Sequence, residues 1–137
     1  MSALLQLLPQ TPGLLPKWLL FVSLVATFNS VQNYTTLKLT RRVYSQRPQD
    51  VTALSTRTFG TWTFLSAVVR AYAAYHIANP QVYDLCLWSY VLAAAHFVSE
   101  WLLFGTARLG AGLAGPLVVS SASIVWMLTQ RGAYVEM

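Results

Sequence analysis

Two ionisable side chains, His96 and Glu100, lie four residues apart in an apolar stretch of the chain. That spacing places them on one face of a helix, where an imidazole and a carboxylate could exchange protons or bind a metal ion. The chain has only one further histidine, His76, and a single cysteine, Cys86. Zinc and di-iron sites need more converging ligands than this. We therefore expect no metal site and no catalytic residues, and we interpret His96 and Glu100 as contacts between helices or with a partner.

Arg70 lies within another apolar stretch, where a charged side chain is costly and marks a candidate site by default. If the stretches that carry Arg70 and Glu100 fold as a hairpin, these residues differ in height by about 15 Å and cannot pair. Arg57 is nearly level with Glu100, and we expect those two to pair. For Arg70 the sequence leaves three partners open, namely Asp84, backbone carbonyls and Asn29.

Three amides, Asn29, Gln32 and Asn33, form a polar stripe on an otherwise apolar segment. Such side chains commonly join neighbouring helices or subunits in a membrane, and we expect that role for them. The alternative is a water-filled path that also includes Arg70, as in a small transporter or channel. The chain has no internal repeat of the kind that many transporters show, which disfavours this alternative.

The glycines of "GAGLAG" at residues 110–115 match the pattern of a dinucleotide-binding turn. That turn requires a preceding strand, a βαβ unit and an acidic residue about 20 positions further on. The preceding segment is too long and apolar for a strand, and Glu136 is the only acid in range. We predict that no cofactor binds, and that Gly112 and Gly115 instead allow close packing against another helix or a partner.

The composition indicates that these segments lie in lipid. The chain has 137 residues, of which 55% are hydrophobic and 9% charged, and its mean hydropathy is +0.49. An average soluble domain has about 25% charged residues. A net charge of +5 that rests on so few residues indicates membrane topology rather than nucleic-acid binding.

The sequence predicts one all-α domain, a polytopic membrane protein that folds as a four-transmembrane-helix bundle. Pro16 and Pro116 are expected in first helical turns, and Asn79-Pro80 is expected to form a turn. Residues 2–10 are interpreted as a short helix at the membrane surface. The predicted spans are residues 14–34, 59–78, 82–104 and 113–130.

A basic loop, residues 37–58, is expected to connect the first two spans, and it contains a patch of Lys38, Arg41, Arg42 and Arg47. Four spans place this loop on the same side as Arg108. The positive-inside rule then assigns that side to the cytosol and both termini to the lumen. The patch is interpreted as a topology signal, as a contact with anionic lipid or acidic partner surfaces, or as both.

Four blocks of sequence follow one another across most of the chain: "LPKWLLFVSLVATFNSVQ" (15–32), "LSTRTFGTWTF" (54–64), "AHFVSEWLLF" (95–104) and "LGAGLAGPLVVSSASIVWM" (109–127). Together and in this order, they closely resemble the ergosterol biosynthetic protein 28 family. The N-terminal dozen residues, the middle of the basic loop and the last seven residues match least.

This resemblance implies a non-enzymatic protein of the endoplasmic reticulum membrane, without cofactors, that tethers the enzymes of sterol C-4 demethylation. Those partners are the C-4 methyl oxidase, the NAD-dependent decarboxylating dehydrogenase and the 3-keto reductase, with sterol C-24 methyltransferase as a further associated enzyme. A homodimer is an additional expectation, because two copies would gather more partners. The alternatives from the residues themselves are a small transporter or channel and a lipid-binding membrane protein.

Overall fold

A computed structural model describes residues 2–135 of the chain, and over this range it is helical without any strand. Glu136, considered above as a ribose-binding acid, lies outside the described residues. Six α-helices and one 3-10 turn, Pro48–Asp50, follow one another. The α-helices are α1 (Ser2–Leu7), α2 (Leu15–Thr35), α3 (Lys38–Val43), α4 (Ala53–Tyr75), α5 (Pro80–Leu102) and α6 (Ala111–Tyr134).

Each predicted span corresponds to one long helix, but only two of these helices are long and apolar enough to count as membrane spans. They are α5 and α6, whose most apolar windows have mean hydropathies of 1.3 and 1.7. The amide stripe makes α2 more polar, and α4 carries Arg57 and Arg70 together with several hydroxyl side chains. The all-helical class is thus confirmed, whereas four transmembrane helices are not.

The predicted basic loop is shorter than expected and partly helical, since α3 forms within it and α4 begins at Ala53 rather than near residue 59. A capping box causes the early start. The Ser55 amide donates to the Thr52 hydroxyl at 3.0 Å, and the Thr52 amide donates to the Ser55 hydroxyl at 2.9 Å. These bonds satisfy amide groups that a helix start leaves without partners.

The two helix starts marked by proline differ from each other. Pro16 lies in the first turn of α2, as predicted. Pro116 does not lie in a first turn, because α6 begins at Ala111 and the proline is inside the helix. A proline there cannot donate to the carbonyl four residues earlier, which is that of Gly112. The turn predicted at Asn79-Pro80 is present, and the Asn79 side chain accepts from two amides at the start of α5.

The long helices pack in chain order, with α2 along α4, α4 along α5 and α5 along α6. Gly60 permits the close contact between α2 and α4, because a Cβ there would lie 3.1 Å from the Ser30 carbonyl oxygen of α2. Large apolar side chains such as Phe28, Leu65 and Trp88 face outward and are more than half exposed. An apolar exterior of this kind suits a lipid surrounding.

Both long connections lie at one end of the bundle. The Gln46 amide in the α3–α4 connection donates to the Thr106 carbonyl in the α5–α6 connection at 3.1 Å. Val43 and Ala107, one from each connection region, belong to the same buried cluster as Leu113. We call this end the basic end, because six cationic residues belong to its connections and adjoining turns: Lys38, Arg41, Arg42, Arg47, Arg57 and Arg108.

Candidate functional site

A cleft of about 480 Å³ lies at the basic end. It lies between the α3–α4 connection, the first half of α4 and the second half of α5. We call it the aromatic cleft, after the rings in its wall. Its lining includes Tyr44, Phe59, Trp62, Leu92, His96 and Glu100. The cleft therefore contains both residues of the His96–Glu100 pair and three aromatic side chains that the sequence analysis did not single out.

His96 is held in the cleft by contacts with two other elements. Its Nε2 shares a hydrogen bond of 2.5 Å with the Tyr44 hydroxyl, and its ring lies 5.1 Å from that of Trp62, edge to face. Tyr44 comes from the connection that follows α3, and Trp62 comes from α4. Residues from these two elements thus fix the position of the imidazole on α5.

Glu100 connects the cleft to the start of the α5–α6 connection. One of its carboxylate oxygens, Oε1, accepts a hydrogen bond from the Thr106 hydroxyl at 2.8 Å. Its backbone carbonyl accepts from the Thr106 amide at 2.9 Å. Burial raises the pKa of the Tyr44 phenol far above its ordinary value, and the negative charge of Glu100 raises it further. Tyr44 is therefore a neutral hydroxyl at physiological pH.

The predicted ion pair between Arg57 and Glu100 is not present. The ion pairs found over residues 2–135 are Arg47–Asp50 at 3.4 Å and Arg131–Asp84 at 2.9 Å. Because α4 starts early, Arg57 already belongs to that helix and its side chain is exposed. The Thr106 hydroxyl donates a hydrogen bond to the Glu100 carboxylate instead.

Arg70 is 8% exposed and reaches toward α5. Its Nε donates to the Ser89 hydroxyl at 3.1 Å, and Nη2 donates to the Ser89 carbonyl at 3.4 Å. Its guanidinium lies 4.0 Å from the centre of the Tyr90 ring. Of the three partners left open by the sequence, the backbone carbonyl is the one observed, while Asp84 pairs with Arg131 at the other end of the bundle.

The amide stripe divides into a buried residue and two half-buried ones. Asn33 is buried and its Oδ1 accepts from the Thr40 hydroxyl of α3 at 3.0 Å. Asn29 and Gln32 are partly exposed, and the part of the chain that the structure describes contains no hydrogen bond from either side chain. Since Asn33 contacts α3 and Arg70 contacts α5, these polar groups do not converge on one path.

The two glycines singled out from the sequence differ in their surroundings. A Cβ added to Gly112 would overlap the backbone carbonyl of Arg42 and approach the Val43 amide nitrogen to 2.9 Å. A Cβ added to Gly115 would meet nothing within 4 Å. Gly112 therefore brings the start of α6 against α3 of the same chain, whereas Gly115 faces open space.

The basic patch is an exposed surface with little internal neutralisation. Lys38, Arg41 and Arg42 are exposed, and among the residues described only Arg47 of this patch forms an ion pair, with Asp50. Arg57 and Arg108 extend the positive surface on the same end. Such a surface attracts anionic lipid headgroups or acidic protein surfaces.

Sequence reasoning missed Tyr44, Phe59 and Trp62 because it treated residues 37–58 as a basic loop and looked for sites among ionisable, amide and glycine residues. The available signal was a tyrosine next to Val43 in an otherwise polar, basic segment. No group of three or more histidine, cysteine, aspartate or glutamate side chains that could hold a metal ion lies within the described range. What the cleft offers is aromatic surface with a hydroxyl, an imidazole and a carboxylate.

Comparison with known proteins places residues 15–125 under the family model described as Erg28 like protein. The chain is 55% identical over 131 residues to ergosterol biosynthetic protein 28 of Candida albicans, covering 95% of both chains. It is 54% identical to the Saccharomyces cerevisiae protein of that name, covering 89% of this chain and 83% of the relative. The human homologue is 40% identical, covering 85% and 84%. No solved structure matches.

Proposed function

The chain belongs to the Erg28 like protein family, whose members compared above are named for ergosterol biosynthesis, and from this premise we propose that it is a membrane scaffold for sterol C-4 demethylation. Family membership supports a role in sterol biosynthesis, and the two apolar helices support association with a membrane. In the proposal, the chain lies in the endoplasmic reticulum membrane and tethers the C-4 methyl oxidase, the decarboxylating dehydrogenase and the 3-keto reductase. Sterol C-24 methyltransferase is a further proposed partner.

The observation that carries the docking role is the pair of partly exposed amides, Asn29 and Gln32, on the outer surface of α2. An amide that faces hydrocarbon without a partner is costly. A helix from another protein that supplied a hydrogen-bond partner would remove this cost. On another face of α2, Ser30, Tyr34 and Thr61 line a shallow groove of about 340 Å³ between α2 and α4, which offers room for a packed side chain.

Tethering increases flux by proximity rather than by chemistry. Enzymes held on one scaffold meet each other's products at a high effective concentration. Sterol intermediates stay in the bilayer, so lateral proximity shortens their search in two dimensions. In this proposal the outer surfaces of the helices hold membrane anchors, and the basic patch contacts acidic surfaces of cytosolic enzyme domains. A second copy of the chain would add further docking surfaces.

The amide contact is tested by the double variant Asn29→Leu with Gln32→Leu, tagged and purified from membranes of a sterol-producing cell. The expected result is a loss of at least one of the three demethylation enzymes from the purified complex. The matched control is Val25→Leu with Phe28→Leu, which changes two exposed residues of the same helix at the same spacing. Recovery of all three enzymes at the wild-type level with both double variants would contradict this docking role.

The basic patch is tested separately by reversing the charges of Arg41 and Arg42 to glutamate. If the patch binds acidic enzyme domains, recovery of those enzymes falls at low salt, and the difference from the wild type narrows as rising salt concentration screens the charges. Lys17→Glu is the control, since it reverses an exposed charge at the opposite end of the bundle. If the enzymes are recovered equally with the charge-reversed patch and with Lys17→Glu, the patch has no part in tethering and serves only as a topology signal.

A further inference from the structure

The aromatic cleft has the size, composition and depth of a site for a membrane lipid. Its volume of about 480 Å³ lies within the roughly 300–1,000 Å³ that small-molecule sites occupy. Phe59, Trp62 and Leu92 supply apolar surface, while Tyr44, His96 and Glu100 supply a few hydrogen-bonding groups. Predominantly apolar walls with few, fixed polar groups are typical of ligand sites.

The cleft descends from the basic end toward the middle of the bundle. His96 and Leu92 precede the end of α5 at Leu102 by six and ten residues, which corresponds to depths of about 9 and 15 Å. Arg47 and Asp50 lie at the outer end of the cleft, in the α3–α4 connection. A lipid of one leaflet would therefore place its polar group beside Tyr44 and His96 and its apolar body deeper, beside Trp62 and Leu92.

The charges around the cleft favour a neutral headgroup. Among the described residues that line the cleft, Arg47 is the only arginine or lysine, and it pairs with Asp50 at 3.4 Å. Glu100 adds a further negative charge to the wall. A phosphate or carboxylate headgroup would meet two carboxylates and a single arginine that already has a partner, which is unfavourable electrostatically.

The hydrogen-bonding groups of the cleft include acceptors for a ligand hydroxyl. Glu100 uses Oε1 to accept from Thr106, and its Oε2 has no hydrogen-bond partner within residues 2–135. The Tyr44 oxygen, which already shares one hydrogen bond with His96, has further accepting capacity. Both groups can accept a hydrogen bond, so a ligand that donates one finds a partner beside them.

The shape of the wall favours a rigid, flat lipid. The rings of Phe59 and Trp62 meet edge to face, with centroids 5.6 Å apart, and Tyr44 packs against Phe59 at 6.0 Å in the same manner. Aromatic side chains held in this way present fixed apolar surface. A fused-ring lipid loses less conformational entropy on such a surface than two flexible acyl chains do.

We propose that the aromatic cleft binds a sterol through its free hydroxyl, with Tyr44 and Glu100 as acceptors and Trp62 and Leu92 along the ring system. The inference rests on the proposed function for its choice of a sterol among rigid lipid alcohols. It goes beyond tethering, because the scaffold would hold a pathway lipid itself and not only the enzymes that act on it.

The test uses the full chain in lipid nanodiscs and a photoreactive sterol that has a free hydroxyl and a diazirine on its ring system. We expect the label on peptides containing Trp62 or Leu92. Leu92→Trp fills the cleft and should abolish this labelling. Leu85→Trp is the matched control, since Leu85 is similarly exposed on the same helix and, seven residues earlier, lies on nearly the same face but outside the cleft.

Competition identifies the ligand class. Unlabelled sterol with a free hydroxyl should prevent labelling, while its O-methyl ether should compete about two- to tenfold less well, as expected for one lost hydrogen bond. Diacylglycerol should not compete. Competition by diacylglycerol as effective as that by sterol, or equal labelling of the Leu92→Trp and Leu85→Trp variants, would overturn the proposal. The competition uses the wild-type chain, so its outcome does not depend on whether a variant folds.

The outcome is separable from that of the tethering proposal. If the enzymes co-purify with the chain but the sterol label does not appear in the cleft, sterol binding is refuted and the tethering proposal stands. If the cleft is labelled specifically but no enzyme co-purifies, the tethering proposal is refuted and the chain is a lipid-binding protein.

Discussion

At the scale of single residues, Arg70 shows how a charge is accommodated between apolar helices without an acidic partner. Its guanidinium combines hydrogen bonds to Ser89 with a position 4.0 Å from the centre of the Tyr90 ring. An arginine over an aromatic face is stabilised by the ring's negative π-surface, and more strongly where water is excluded. The pair Arg70–Tyr90 therefore joins α4 to α5 in the middle of the bundle.

This account predicts that the ring of Tyr90, rather than its hydroxyl, supports Arg70. Tyr90→Leu should lower the free energy of unfolding by about 1–3 kcal/mol, because it removes the π-face and leaves a small cavity. Tyr90→Phe keeps the ring and should change the stability by less than about 1 kcal/mol. Unfolding in mixed micelles, followed by circular dichroism, measures both, and equal losses in the two variants would contradict the role of the ring.

At the scale of helices, Gly112 is the position where α6 approaches α3 too closely for any side chain. A Cβ would overlap the Arg42 carbonyl, which is backbone and cannot rotate away. The glycine that resembles a cofactor signature in the sequence is thus explained by packing. It also brings the start of α6 against the segment that carries the basic patch, so the two connections of the basic end are held together.

Gly112→Ala is accordingly expected to destabilise the protein by about 1–3 kcal/mol, the usual cost of overpacking. Gly132→Ala is the control on the same helix, because a Cβ there meets nothing within 4 Å. It should be neutral or stabilising by up to about 1 kcal/mol, as alanine is the better helix former. Thermal unfolding in detergent measures the difference, and a Gly112→Ala variant as stable as Gly132→Ala would show that the close contact does not form.

The long helices were predictable from the sequence, whereas their starts and side-chain pairs were not. Apolar runs and turn residues such as Asn79-Pro80 indicate length and breaks directly. The start of α4 depends on reciprocal hydrogen bonds between Thr52 and Ser55. This capping signal is local, but it was overlooked because the basic residues around it led us to predict a loop. The partner of Glu100 depends on how the α5–α6 connection turns back, which brings Thr106 rather than Arg57 to the carboxylate. Contacts of that kind require the assembled fold.

At the scale of the whole molecule, the cationic residues are distributed unequally between the two ends. Five of the six cationic residues at the basic end form no ion pair over the described range, whereas Arg131 at the opposite end is paired with Asp84. In the membrane arrangement that we propose, the positive-inside rule would orient the basic end toward the cytosol. That orientation would present the patch and the mouth of the aromatic cleft to the same side of the membrane.

This orientation predicts which engineered cysteines react in sealed microsomes. Ser45→Cys, at the basic end, should react with a membrane-impermeant maleimide added outside, whereas Gln81→Cys, at the start of α5, should react only after permeabilisation. Both positions are exposed, and the native Cys86 is buried with 0% exposure and gives a low background. Labelling of Gln81→Cys in intact microsomes, with Ser45→Cys protected, would reverse the assigned topology.

The central claim is that this chain gathers the enzymes of sterol C-4 demethylation, and crosslinking in native membranes tests it most directly. The wild-type chain, tagged and expressed in a sterol-producing cell, is crosslinked before solubilisation and its partners are quantified by mass spectrometry. A tagged membrane protein of similar size and abundance serves as the reference. The account predicts enrichment of the methyl oxidase, the decarboxylating dehydrogenase and the keto reductase over that reference, and recovery of none of the three above it would contradict the account.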